Sequence, residues 1–276
     1  MTIELGPLGA YLTAADATAA DAVALEDTGY SAIWLAASPA ADLLAAERLL
    51  DATDRIVVGT SVLNVWQENA EEVADSYHRI EAKYTDRLLI GIGAGHREIN
   101  AGYTSPVPKV ASYLDVLAAA GVPADRVLLA ALGPKMLRLA AERAAGTLTL
   151  QVTPEHTRRA RKALGPDKLV VPGHGVVLDT DAERAREAAR AGVRPILGIA
   201  NYATNLRRIG YTDQDLTEPF SDRLIDELVL HGDEGAVAAG VHAELTAGAD
   251  HVGLHAMGED PIGALRAVAH VVHDKQ

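Results

Sequence analysis

Short apolar runs alternate with longer amphipathic stretches along almost the whole chain. Ile56, Val57 and Val58 form one continuous apolar run, and Leu88, Leu89, Ile90 and Ile92 form another, the pattern of parallel strands covered on both faces. Between them Val73, Tyr77, Ile80 and Tyr84 recur at spacings of four, three and four, which places them on one face of a helix. Residues 55–96 therefore predict a βαβ unit. Its crossover is right-handed, so Thr60–Asn64 and Gly93–His96 fall at the same edge of the sheet. In α/β folds that edge binds ligands. Gly59, Gly91, Gly93 and Gly95 are expected to let a flat ligand approach the backbone there.

The same rhythm extends in both directions. Residues 3–12 predict a first strand and 14–28 a helix ending before Gly29; Ala32–Ala36 predicts a second strand and Asp42–Ala52 its helix. After the βαβ unit come helix 110–120, strand Arg126–Leu132, helix 134–145, strand Thr147–Val152, helix Pro154–Leu164, strand Leu169–Leu178 and helix Asp181–Ala191. Residues 195–247 then carry helical patterns with no strand, before strand His251–Ala256 and helix Pro261–Val272. Eight strands alternating with helices predict the α/β class and a (β/α)8 TIM barrel. It is a single domain over residues 1–276, with a helical insertion at about 195–247 before strand eight.

Composition narrows the partners. The formal charge is −13, from 38 acids against 25 lysines and arginines, with no basic cluster interleaved with aromatics. Nucleic acid and anionic membranes are not expected partners. There is no cysteine, and hence no disulfide framework, thiolate metal site or cysteine nucleophile. No run approaches 18 apolar residues and the N-terminus lacks a leader pattern, so a cytoplasmic protein is expected. His251 and His255 are four residues apart on a strand, roughly 13 Å at 3.3 Å per residue, too far to share a metal. No metal site is predicted.

Three glycine-marked turns carry a resemblance. Gly59-Thr60-Ser61-Val62-Leu63, Gly91-Ile92-Gly93-Ala94-Gly95 and Gly133-Pro134-Lys135-Met136 follow strands three, four and five. Together with Val152–Thr157 and with Asn201-Tyr202 and Asn205–Arg208 in the insertion, they resemble the luciferase-like flavin and deazaflavin oxidoreductases, most closely the coenzyme F420-dependent branch. The resemblance implies an oxidoreductase that transfers a hydride between the deazaflavin and a small organic substrate. An FMN-dependent monooxygenase and a barrel that binds cofactor without turnover are the alternatives. It further implies a homodimer. In relatives the peptide matching Ser61-Val62 is a non-prolyl cis bond behind the central ring, the turn Gly93-Ala94-Gly95 passes the ring edge, and Leu132, Gly133, Pro134 and Lys135 match the turn that receives the phosphate. For Gly133 a physical argument stands beside the resemblance, because a glycine opening a helix leaves N–H groups and a positive dipole end aimed at an anion.

The chain departs from the family pattern where sugar-phosphate dehydrogenases carry an Asp-His pair after strand two and a Glu after strand four. Here those positions read Ala37-Ser38 and His96. His96 becomes the expected acid or base, since imidazole titrates near neutrality, the alternative being a polar residue on the barrel rim. Ser38, Asn64, Trp66, Tyr202 and His255 are the expected substrate contacts. His255 is included because it points inward if Val252 and Leu254 face the helices. Trp34, inside strand two, reads as core.

Overall fold

The computed structural model describes residues 3–100 and 102–273. β1 (Leu8–Thr13) is followed by α1 (Ala19–Asp27), β2 (Ala32–Ala36) by α2 (Leu44–Asp51), and β3 (Val57–Ser61) by a two-residue strand, β4 (Leu63–Asn64), and α3 (Ala70–Glu81). β5 (Leu88–Gly93) leads to α4 (Pro106–Ala119), β6 (Val127–Ala130) to α5 (Pro134–Arg143), and β7 (Gly146–Leu150) to α6 (Pro154–Leu164). After β8 (Leu169–Leu178) come α7 (Ala182–Leu197), α8 (Ala200–Arg208), α9 (Asp222–Leu228), β9 (Val229–Gly232) and α10 (Glu234–Thr246). β10 (Val252–Ala256) and α11 (Pro261–His273) complete the described elements.

The strands pair in parallel in the order β1-β2-β3-β5-β6-β7-β8-β10, and β10 pairs back onto β1, so eight strands close a barrel ringed by helices. Helix starts are capped as their sequences dictate. Thr18 and Asp21 form a capping box on α1, and Asn69, Thr153, Asp181 and Asp233 accept from first-turn amides of α3, α6, α7 and α10. Each such cap stabilises its helix by about 1 kcal/mol.

Alternation divides the strand residues between two cores. Ile33, Leu35, Val58, Ile90 and Leu254 pack outward against the helices, while Tyr11, Trp34, Leu89, Leu128 and Val171 fill the barrel. Two rings take most of the lumen, and neighbouring strands make room with glycine. A Cβ at Gly59 would lie 2.3 Å from the Trp34 ring, and one at Gly253 would lie 2.2 Å from Tyr11. Trp34 is therefore core, as its place in strand two predicts. Gly59 and Gly91 are corrected: Gly59 yields space to Trp34, and at Gly91 a Cβ would meet the Thr60 carbonyl at 1.9 Å, so both serve internal packing and not a ligand.

Three expected boundaries also change. β1 begins at Leu8 and not at residue 3, although the Pro7 carbonyl already accepts from Val252 N at 2.8 Å. The strand expected at Arg126–Leu132 shortens to Val127–Ala130, because Arg126 belongs to a 3-10 turn and its guanidinium bonds Asp86. The insertion is not purely helical. β8 outruns β7, which pairs only with Leu169–Gly173, and β9 continues along the same edge opposite Gly175–Leu178. Gly175 and Val176 pair with His255 and Ala256 on the other edge.

Candidate active site

β3 leaves the ladder just before its end. Val58 and Gly59 pair with Leu88 and Leu89, and pairing resumes only at Leu63 and Asn64, opposite Ile92 and Gly93. Across the gap the fully buried Thr60 hydroxyl does the work of the ladder, donating to the Gly91 carbonyl and accepting from Gly91 N, each at 2.8 Å. The bulge so formed holds a cis Ser61–Val62 peptide, the feature that the resemblance implies. Val62 lies over Gly93, where a Cβ would come within 2.6 Å of its Cγ2.

Around the bulge the carboxyl ends of the strands enclose a cavity of about 640 Å³, within the range of cofactor sites. Ser61, Val62 and Asn64 line it with Gly93, Ala94, Gly95 and His96 from the end of β5, and Leu132, Gly133, Pro134 and Lys135 from the end of β6. Ala37 and Ser38, both in left-handed conformation with φ of 63° and 52°, close it beyond β2. Leu148 and Leu150 of β7, with Val107 of α4, give an apolar wall that only ordinary alternation marked in the sequence. From the insertion, α8 contributes Asn201, Tyr202 and Arg208.

The 94–100 loop is held by polar contacts. Gly95 has φ of 56°, and a Cβ there would lie 2.3 Å from Asn100. Asn64 donates to Asn100 at 2.7 Å, and Asn100 donates to the His96 carbonyl at 2.8 Å. Asn100 is a positioning residue that no sequence signal had marked. The Trp66 indole donates to the Ala94 carbonyl at 2.7 Å and its ring lies 5.5 Å from that of Tyr103, which does line the cavity. Trp66 itself is not among the lining residues; it stands one layer back and fixes the turn.

His96 is half-buried, its ring 5.8 Å from Tyr202. Burial lowers its pKa below the usual histidine value, opposed in part by Glu98, so the imidazole is neutral at pH 7. Neither ring nitrogen has a protein hydrogen-bond partner, and Nδ1 is buried. Burial pushes the Tyr202 phenol up to about 12. Glu98 accepts from Ala200 N at 3.2 Å and so ties the loop to the start of α8.

The other histidines are placed elsewhere. His255 falls on the inward-facing alternation of β10 with Gly253 but does not line the cavity. His251 is buried, donating from Nδ1 to the Gly6 carbonyl at 2.6 Å and accepting at Nε2 from the Trp34 indole at 3.0 Å. His174 faces outward, its Nε2 2.9 Å from the buried carboxylate of Glu244. His156 is buried behind the cavity, with Asn205 3.2 Å from its Nδ1. Among the described residues no group of three or more His, Asp or Glu side chains converges as a metal site would. No helix among them is long and apolar enough to cross a membrane.

Charge is distributed unevenly. Among the described residues no carboxylate lines the cavity, in a chain with 38 of them, whereas Lys135 and Arg208 stand near Gly133. α5 opens there with no side-chain cap; Pro134 carries no N–H, and Met136 N and Leu137 N bond the Gly133 carbonyl at 3.1 and 3.0 Å, so the Lys135 amide and the positive dipole end are what face an anion.

No protein-family model matches the chain, and no curated protein does. Solved structures share its architecture from end to end. An F420-dependent secondary alcohol dehydrogenase in complex with an F420-acetone adduct superposes with a TM-score of 0.76 at 13% identity, covering 99% of both chains. The coenzyme F420-dependent tetrahydromethanopterin reductase of Methanopyrus kandleri gives 0.74 at 16% identity, over 98% of this chain and 99% of that one. The oxygenating constituent of 3,6-diketocamphane monooxygenase from Pseudomonas putida, in complex with FMN, gives 0.70 at 13% identity, over 99% and 98%. At such identities the likeness is one of fold: this chain has the TIM-barrel fold found in luciferase-like enzymes that use F420 and in others that use FMN.

Proposed function

We propose that the protein is an oxidoreductase that uses coenzyme F420 to exchange a hydride with a small organic substrate. The observation that carries this reading is the cavity itself: among the described residues its lining at the Ser61–Val62 bulge is largely apolar and free of carboxylates, and its lysine and arginine, Lys135 and Arg208, stand at the start of α5. The residues present fit a tricyclic ring with an anionic tail. When bound, the deazaflavin supplies the carbon that carries the hydride.

The protein's own part follows from its side chains. Ser61, Val62, Gly93, Ala94 and Gly95 would hold the ring. Lys135, through its side chain and its backbone amide, would hold the phosphate, with Leu132, Gly133 and Pro134 shaping that turn. Ser38, Asn64 and Tyr202 would contact the substrate, and the apolar wall of Leu148 and Leu150 would keep water out. His96, neutral at pH 7, takes the proton from a substrate hydroxyl or returns it to a carbonyl oxygen. Trp66 acts by holding the turn, and His255 has no part in this reading. We extend the reading to a homodimer in the cytoplasm; sedimentation of the purified protein would check the first and cell fractionation the second.

Titration of the apo-protein with coenzyme F420 and, separately, with FMN, followed by fluorescence quenching, tests the proposal. Selective deazaflavin binding is expected. Replacing Gly133 by valine should weaken it by about tenfold or more, since the new side chain stands where the backbone receives the phosphate. The Cβ itself meets only Arg208, at 3.5 Å, so the variant should fold and the loss reads ligand contact alone. Binding of FMN alone would assign the FMN-dependent monooxygenase reading, and binding of neither would overturn both.

A further inference from the structure

A second hollow of about 410 Å³ adjoins the cavity, sharing Leu132, Pro134 and Arg208 as common walls. It lies between α5, α6 and α8, and three guanidinium groups border it: Arg138, Arg159 and Arg208. Among the described residues no carboxylate lines it. Arg159 is fixed in place, donating to Glu155 at 2.8 Å and to the Arg208 carbonyl at 2.6 Å, which locks α6 to the end of α8. Arg138 and Arg208 have no carboxylate partner among the described residues, although the chain has 38 acids and most of its other arginines pair with them. Lys135 and Arg138 are one helical turn apart on α5 and so share a face. The cationic end of the cavity thus continues into this second hollow, a groove bordered by Arg138 and Arg208, with Arg159 paired to Glu155.

We propose that this groove is a binding subsite for a second anionic group, a carboxylate-bearing tail tethered to the phosphate held at Gly133. The inference rests on the cofactor reading above and goes beyond it. FMN ends at its phosphate and leaves the groove unused, whereas coenzyme F420 continues past its phosphodiester into a glutamyl chain whose carboxylates suit guanidinium groups. The groove would then set selectivity between two cofactors whose rings the barrel itself scarcely distinguishes. A polar wall of Asn205 and the buried His156, whose Nε2 has no hydrogen-bond partner, backs the three arginines.

The test compares affinities for coenzyme F420 with its glutamyl tail and for the same deazaflavin phosphate without it, in wild type and in R138Q. Arg138 is exposed on α5, so the variant should keep its fold. Wild type should prefer the tailed form by about tenfold at low salt, a preference that fades as salt rises, and R138Q should lose most of it while still binding the tail-free form. Equal affinity of wild type for the two forms, or an undiminished preference in R138Q, would overturn the groove and leave the cofactor reading standing. Binding of neither deazaflavin would overturn both.

Discussion

Lowering the pH from 7.5 to 5 should destabilise the fold through two buried histidines, His251 and His156, neither of which takes part in the proposed proton transfer. His251 is held as a neutral ring by its partners, because Nε2 accepts from the Trp34 indole while Nδ1 donates to Gly6, and a protonated ring would set N–H against N–H. Burial lowers its pKa to about 4 from 6.5, and burial does the same to His156. In the unfolded chain both return to the ordinary value and bind protons first. Between pH 6.5 and about 4 the unfolded state therefore holds more protons, so their contribution is complete above that window and is lost as pH falls through it. At 1.36 kcal/mol per unit, the 1.5 units down to pH 5 amount to about 2 kcal/mol for each ring and about 4 for both. Against a total stability of about 5–15 kcal/mol for a domain, that is a large fraction. Carboxylates held low, such as Asp215 at about 2, stay ionised at pH 5 and do not confuse the window. Guanidinium denaturation read by tryptophan fluorescence at the two pH values measures the difference. H251Q should be less stable at pH 7.5 but should show only about half the wild-type loss on acidification. Equal wild-type stability at both pH values, or a ring that titrates near 6.5 by NMR in the folded protein, would refute the argument.

Two further outcomes follow from the barrel and its mouth. G59A places a methyl 2.3 Å from a Trp34 ring that is tethered to His251, so the denaturation midpoint should fall by the equivalent of about 1–3 kcal/mol, and no change would mean that the ring can move aside. H96Q should lower kcat/KM by about 10²–10⁴ with cofactor affinity kept and should flatten the acid limb of the pH profile, because protonation of the wild-type imidazole below its depressed pKa is what removes the base. An unchanged profile would return His96 to the rim.

Much of the barrel was legible because parallel strands covered on both faces leave little ambiguity. Ile56–Val58 and Leu88–Ile92 could only be buried, and the glycines and prolines at helix ends set the rhythm. What was not legible depends on partners distant in sequence. β9 reads as the continuation of a helix, since Leu224, Leu228 and Leu230 suit either form, and it becomes a strand only because β8 outruns β7 and offers a free edge. Gly59 and Gly91 look like ligand glycines until Trp34 and Thr60 are found against them. His174 sat between two inward glycines and took the opposite face, where its partner Glu244 is 70 positions away. At the site, the lining residues near the strand ends followed from topology. Trp66 and His255 fall outside the cavity lining, because a strand end fixes where a backbone goes but not how many layers stand between a side chain and the cavity.

The overhang of β8 has a consequence for divergence. The ring of strands closes through β8 and β10, while β9 is laddered onto the spare length of β8, so the segment carrying α8 is anchored without being part of the closure. Tyr202 and Arg208 on that segment face the cavity as an exchangeable panel. Changes at the exposed and half-buried positions of α8 can recast what the pocket presents to a ligand while leaving the barrel's hydrogen-bond circuit intact. In this architecture the evolution of specificity is mechanically separated from the evolution of foldability.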